Sequence, residues 1–171
     1  LRTGIVLYGF KLTLNALFVM GLKAVAIDCI VVCGTLLLGN ALGRWLKLDK
    51  DERLLISSGS AICGAAAVLA TEPVLQAPKH KTVVAIATVV LFGTLSMFLY
   101  PLLYRMGLFH SFSAEAIGVY TGSTIHEVAH VLGAGTAMTP EITATATITK
   151  MIRVMMLAPV LLCLSVIVRS G

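Results

Sequence analysis

The chain has 171 residues, 58% hydrophobic and 12% charged, with a net charge of +5 and a mean hydropathy of +0.96. Soluble domains carry about 25% charged residues, so this composition excludes an ordinary soluble domain. Its repeated apolar runs point to an all-α integral membrane protein, a polytopic helical bundle forming a single transmembrane domain over residues 1–171. The small positive charge lies mostly between apolar runs, which argues for cytoplasmic loops and against nucleic-acid binding.

In chain order, Leu1–Gly21 is apolar but carries Arg2, Lys11 and Asn15, and reads as the end of a span followed by a break near Gly9–Lys11. Ala24–Leu42 is a clean span bounded by Lys23 and by Arg44-Trp45, an interface anchor. Asp28 lies about one turn inside it. Pairing with Lys23 near the headgroups is its plain reading, and an ion-pathway role the alternative. Lys47–Arg53 is a polar linker that, with Arg44, holds four basic residues and belongs in the cytoplasm. Leu54–Ala70 is short and rich in Gly, Ser and Ala, and is expected to break at Thr71-Glu72-Pro73.

After a polar loop at Gln76–Lys81, Val83–Leu103 is a long span with Pro101 near its end. His110–Ser113 is a turn, and Ala114–Ala137 the next apolar segment. Thr139 is placed to cap a helix that has Pro140 at its first position. The final run, Glu141–Val168, is long enough to cross with tilt. Lys150 and Arg153 sit well inside it on one face, with snorkelling of Lys150 to an interface as the plain alternative. Cys29, Cys33, Cys63 and Cys163 lack metal-site spacing and read as small buried residues. The chain opens with Leu1 and begins and ends beside hydrophobic segments, as a fragment of a longer polytopic protein would.

A shift of 63 residues superimposes Ser58–Leu69 on Thr121–Leu132, matching Gly, Ser, Ile, Ala, Val and Leu. Such an internal repeat, with two discontinuous Gly-rich helices, is the layout of secondary transporters that bind solute where two broken helices meet. Gly59-Ser60 and Gly122-Ser123 are then expected to start half-helices, whose free N–H groups and positive dipole favour an anion. Lys150 and Arg153 would add positive charge.

His126-Glu127-Val128-Ala129-His130 matches the H-E-x-x-H pattern, in which two imidazoles one helical turn apart hold zinc and the Glu activates water. A zinc-dependent intramembrane protease is therefore the alternative to transport. The position of the extended motif's third His is Thr136, and no Asp follows His130. Neither a metal site nor another cofactor is expected. Instead, His126, Glu127 and His130 are expected to carry a coupled proton.

Four motifs, Leu1–Leu12 (LRTGIVLYGFKL), Gly59–Val68 (GSAICGAAAV), Gly122–Gly135 (GSTIHEVAHVLGAG) and Lys150–Pro159 (KMIRVMMLAP), resemble in order those of the YeiH-type sulfate exporter family of bacterial membrane transporters. The resemblance implies a multi-pass protein of the bacterial inner membrane, about twice this length. It also implies similarity to the cation/proton antiporter and bile-acid symporter fold group, with broken helices crossing at midmembrane. The family carries Gln where this chain has His130, so the protease match looks like the outcome of one substitution. The function implied is export of a small anion such as sulfate or a sulfonate, not enzymatic catalysis. The anion would bind at Gly59, Ser60, Gly122, Ser123, Lys150 and Arg153, within the lipid bilayer. Oligomeric state stays open.

Overall fold

The structure is a computed structural model and describes residues 26–169. These form α1 (Ala26–Trp45), α2 (Lys50–Ala61), α3 (Ala65–Leu75), α4 (Lys79–Arg105), α5 (Ala114–Thr124), α6 (Val128–Thr136), α7 (Pro140–Met155) and α8 (Leu157–Arg169). There is no strand among the described residues. The expected break near Gly9–Lys11 and the Lys23 partner of Asp28 lie outside them.

Three stretches are long and apolar enough to cross a membrane: α1, α4, and α7 continuing into α8 as far as Val166. Large apolar side chains point outward along them, with Ile30 71%, Trp45 79% and Phe98 67% exposed. Asp28, Thr149, Lys150 and Arg153 are meanwhile buried. A bilayer imposes this distribution, since lipid accepts apolar surface and offers a polar group no partner. The expected all-α polytopic membrane architecture holds.

Several helix ends follow local chemistry. Ser113 caps α5 by accepting from the Ala116 amide. Thr139 caps α7 by accepting from Ile142 N at 3.2 Å, with Pro140 at the first turn; this is where the sequence places that start. Lys50–Arg53, read as linker, instead forms the first turn of α2, where Asp51 and Glu52 complement the helix dipole.

Several expectations are refined or corrected. Pro73 does not break its segment: α3 runs through it and ends at Leu75, where Gln76 takes left-handed backbone at φ 51°. The interruption falls earlier, at Ile62–Gly64, with Gly64 at φ +72°. Ala114–Ala137 is likewise interrupted, at residues 125–127 between α5 and α6. The final run bends at Met156, between α7 and α8. There Pro159 has no N–H for the carbonyl one turn back. The cysteines also differ from expectation: only Cys63 is buried, and Cys29, Cys33 and Cys163 face outward.

Packing at the centre depends on small residues. A Cβ on Gly122 would overlap the Ala146 carbonyl, and one on Gly118 would meet Thr145, so α5 lies close against α7. The α2–α3 interruption packs with α1 through Val32, Ala61, Ile62, Cys63 and Ala67. The α5–α6 interruption packs with α7 through Ile125, Val131, Ala134 and Ala146.

Candidate functional site

The two interruptions, Ile62–Gly64 and residues 125–127, meet. Lys150 Nζ donates at 2.7 Å to the Ile62 carbonyl and at 2.7 Å to the Ile125 carbonyl. Ile62 and Ile125 are the C-caps of α2 and α5, and lie 63 residues apart, the offset at which the sequence matches itself. One turn along α7, Arg153 Nε donates to the Ala61 carbonyl and Nη2 to the Ser60 carbonyl at 3.4 Å. Lys150 is 0% exposed and Arg153 1%, so the lysine does not snorkel to an interface.

These contacts reverse the expected polarity. Gly59-Ser60 and Gly122-Ser123 do not start half-helices; they occupy the last turns of α2 and α5. Both helices therefore present carbonyls, the negative dipole end, to the centre. Each terminus is equivalent to roughly half a charge, so the two carry about −1 and draw the cations of α7. The helix starts belong to α3 and α6. Glu127 is the N-cap of α6, and its Oε1 accepts from the Ala65 amide at the first residue of α3, at 3.3 Å. One carboxylate thus faces two positive helix ends.

The histidines lie on the other side of this carboxylate. His130 Nδ1 is 3.7 Å from Glu127 Oε2, and Nε2 is 3.4 Å from Thr94 Oγ1 on α4. The His126 side chain also lies against Gly93 of α4, and its Nδ1 is buried without a hydrogen-bond partner among the described residues. Because α6 begins only at Val128, His126 precedes the helix that carries His130. The single-helix geometry behind the zinc reading is therefore absent. No group of three or more His, Cys, Asp or Glu among the described residues could hold a metal ion.

Ser123 is brought into the centre by a different partner from the one expected, donating to Asp28 Oδ1 at 2.8 Å. Asp28 is 0% exposed, within the electrostatic reach of Arg153 and Lys150. Nearby, Tyr100 of α4 donates to Thr124 Oγ1 at 2.9 Å and stacks on Tyr120. The structure thus gathers Ser60, Ser123, Lys150 and Arg153 around the helix C-termini and sets Glu127, His126 and His130 beside them. Gly59 and Gly122 serve close packing: a Cβ on Gly59 would meet Val68 and Val89. Sequence reasoning missed Gly93 and the two isoleucine carbonyls. Asp28, an acid inside an apolar run, was the one signal available for its part of the site.

The whole chain, residues 1–171, matches the family described as Conserved hypothetical protein 698, and it belongs to that family. A UPF0324 membrane protein of Bacteroides thetaiotaomicron is 55% identical over 162 residues, covering 95% of this chain and 48% of the relative. A UPF0324 membrane protein of Bordetella bronchiseptica is 50% identical, covering 100% of this chain and 53% of the relative. The UPF0324 inner membrane protein YeiH of Escherichia coli (strain K12) is 50% identical over 171 residues, 99% of this chain and 49% of the relative. The chain spans about half the length of these curated relatives. No solved structure matches it. The YeiH-type resemblance read from the motifs therefore holds, and with it a place in the inner membrane, where YeiH is named.

Proposed function

We propose that this UPF0324-family membrane chain carries the substrate site of a secondary transporter, moving a small anion such as sulfate or a sulfonate outward with a coupled proton. The observation that supports this reading is the Lys150 ammonium bonded to both interruptions. Such a junction of unwound segments at membrane depth is where secondary transporters bind solute, and irregular backbone there requires protein or a wet cavity around it.

The geometry favours Arg153 as the anion's first contact. Lys150 and Arg153 Nε are engaged by helix-end carbonyls, whereas Arg153 Nη1 is buried and has no partner among the described residues. An oxyanion oxygen would satisfy it, with Ser60 and Ser123 in the adjoining turns. Glu127 reads as a fixed counter-charge for two helix starts, with His130 held between it and α4.

The test is flux of sulfate and of a short alkylsulfonate into and out of proteoliposomes holding the full-length protein. Flux is expected in the wild type and lost in Arg153→Met, with size-exclusion profiles confirming that the variant folds. Wild-type protein that moves neither probe, or undiminished flux in folded Arg153→Met, would overturn the reading.

A further inference from the structure

Asp28 is the acid that the anion site does not absorb. It is fully buried on α1; Ser123 donates to Oδ1, and Oδ2 has no hydrogen-bond partner among the described residues. Arg153 Nη1 is orphaned in the same way. The two side chains make no direct hydrogen bond, yet each lies in the other's electrostatic field. Lys150, also on α7, is the other cation that reaches Asp28. The Cys63 thiol at the α2–α3 interruption, and Glu127 and His126 at the α5–α6 interruption, are the further titratable groups near these cations. Beyond Asp28, α1 meets α3 and α8 through apolar side chains, among them Val32, Leu36, Ala67 and Val160.

The charges at this centre nearly cancel. Two cations face two helix C-termini worth about −1 together, Glu127 is offset by the positive starts of α3 and α6 beside it, and an ionised Asp28 removes the remaining positive charge. A second anion placed beside ionised Asp28 would leave one negative charge buried and uncompensated, which is strongly unfavourable. Protonating Asp28 restores one unit of positive charge beside an orphaned Arg153 N–H.

We propose that Asp28 is the proton carrier of the site: ionised, it is the counter-charge of Arg153, and protonated, it yields that place to a small oxyanion. The proposal rests on the transport reading above. One proton joins the Asp28 carboxylate as one anion takes Arg153 Nη1, and both leave together on the other side. A dianion such as sulfate that departs with one proton carries one net negative charge. An inside-negative potential therefore still drives it out.

The experiment combines two readouts on the full-length protein in lipid. Sulfate added at fixed pH is expected to raise the infrared C=O band of a protonated carboxyl, a band missing in Asp28→Asn. In proteoliposomes with an internal pH dye, wild-type sulfate flux is expected to carry one proton and to change by up to about tenfold per pH unit, the limit for one obligatory proton. Asp28→Asn is expected to lose both the proton and the pH dependence, and Asp28→Glu to recover them. Sulfate flux without an accompanying proton, coupled proton movement that persists in Asp28→Asn, or no sulfate-induced carboxyl band in the wild type would each overturn the proposal. Absence of flux in the wild type alone rejects the transport reading, and the infrared band then decides the role of Asp28 separately.

Discussion

Gly93 of α4 sits where a β-carbon would stand 2.6 Å from Nδ1 of the His130 ring. A carbon there would only touch the His126 Cβ, at 3.5 Å, so it is the His130 ring that this glycine seats. Gly93→Ala is expected to push the ring off Thr94 and to destabilise the protein by about 1–3 kcal/mol, the usual cost of overpacking. Thermal unfolding in detergent measures the loss. His130→Ala in the same background should recover most of it, since it removes the clashing ring.

Gly64 combines two constraints. Its φ of +72° is costly for any residue with a side chain, and an added carbon would meet the Glu127 side chain. Gly64→Ala is expected to cost at least about 1–2 kcal/mol from the backbone alone, and to displace the carboxylate from the start of α3. Hydrogen exchange at the Ala65 amide should accelerate, while exchange in the middle of α4 stays as in the wild type.

Replacing Lys150 by Met removes the side-chain donor that the Ile62 and Ile125 carbonyls share. Each unsatisfied buried acceptor costs about 1–3 kcal/mol, so the variant should melt well below the wild type. Lys150→Arg should restore part of the difference, because it keeps the charge and its donors while enlarging the head group. Equal melting of the wild type and the Met variant would contradict the bridging role.

At the membrane edge, Lys81 bonds Asp49 at 2.8 Å and holds its carboxyl below the usual range, first through that hydrogen bond and then through its charge. A depressed carboxylate pKa contributes stability above the unfolded-state value and loses it as pH falls through the folded-state value. The stability difference between wild type and Asp49→Asn should therefore be present at neutral pH and fade in acid. Asp49 is 68% exposed, so added salt should also shrink the difference.

The spans were legible because lipid demands long apolar runs, and α1, α4 and α7 lie close to where hydropathy sets them. Thr139-Pro140 gave the start of α7 for the same local reason that it caps the helix. The interruptions were harder to locate. Pro73 is a louder signal than Ile62–Gly64, but a proline near a helix end sacrifices one hydrogen bond, whereas Gly64 changes the direction of the backbone. The polarity of the centre was misjudged because Gly-Ser invites a helix-start reading. Whether Gly59-Ser60 begins or ends a helix depends on the partners of the carbonyls that follow, and these, Arg153 for Ala61 and Lys150 for Ile62, lie 92 and 88 positions away. Asp28 was visible as an acid in an apolar run, but nothing near it in sequence pointed to Ser123 on another helix.

A single ammonium fastened to both C-caps also has a mechanical consequence. The ends of α2 and α5 are pinned to one point on α7, like two spokes on one hub, and neither can slide without drawing the other along. A transporter built on this piece would have to expose its cargo alternately by carrying the hub past a stationary frame. The lipid-facing wall of α4 and the other half of the full-length protein are the natural places to seek that frame.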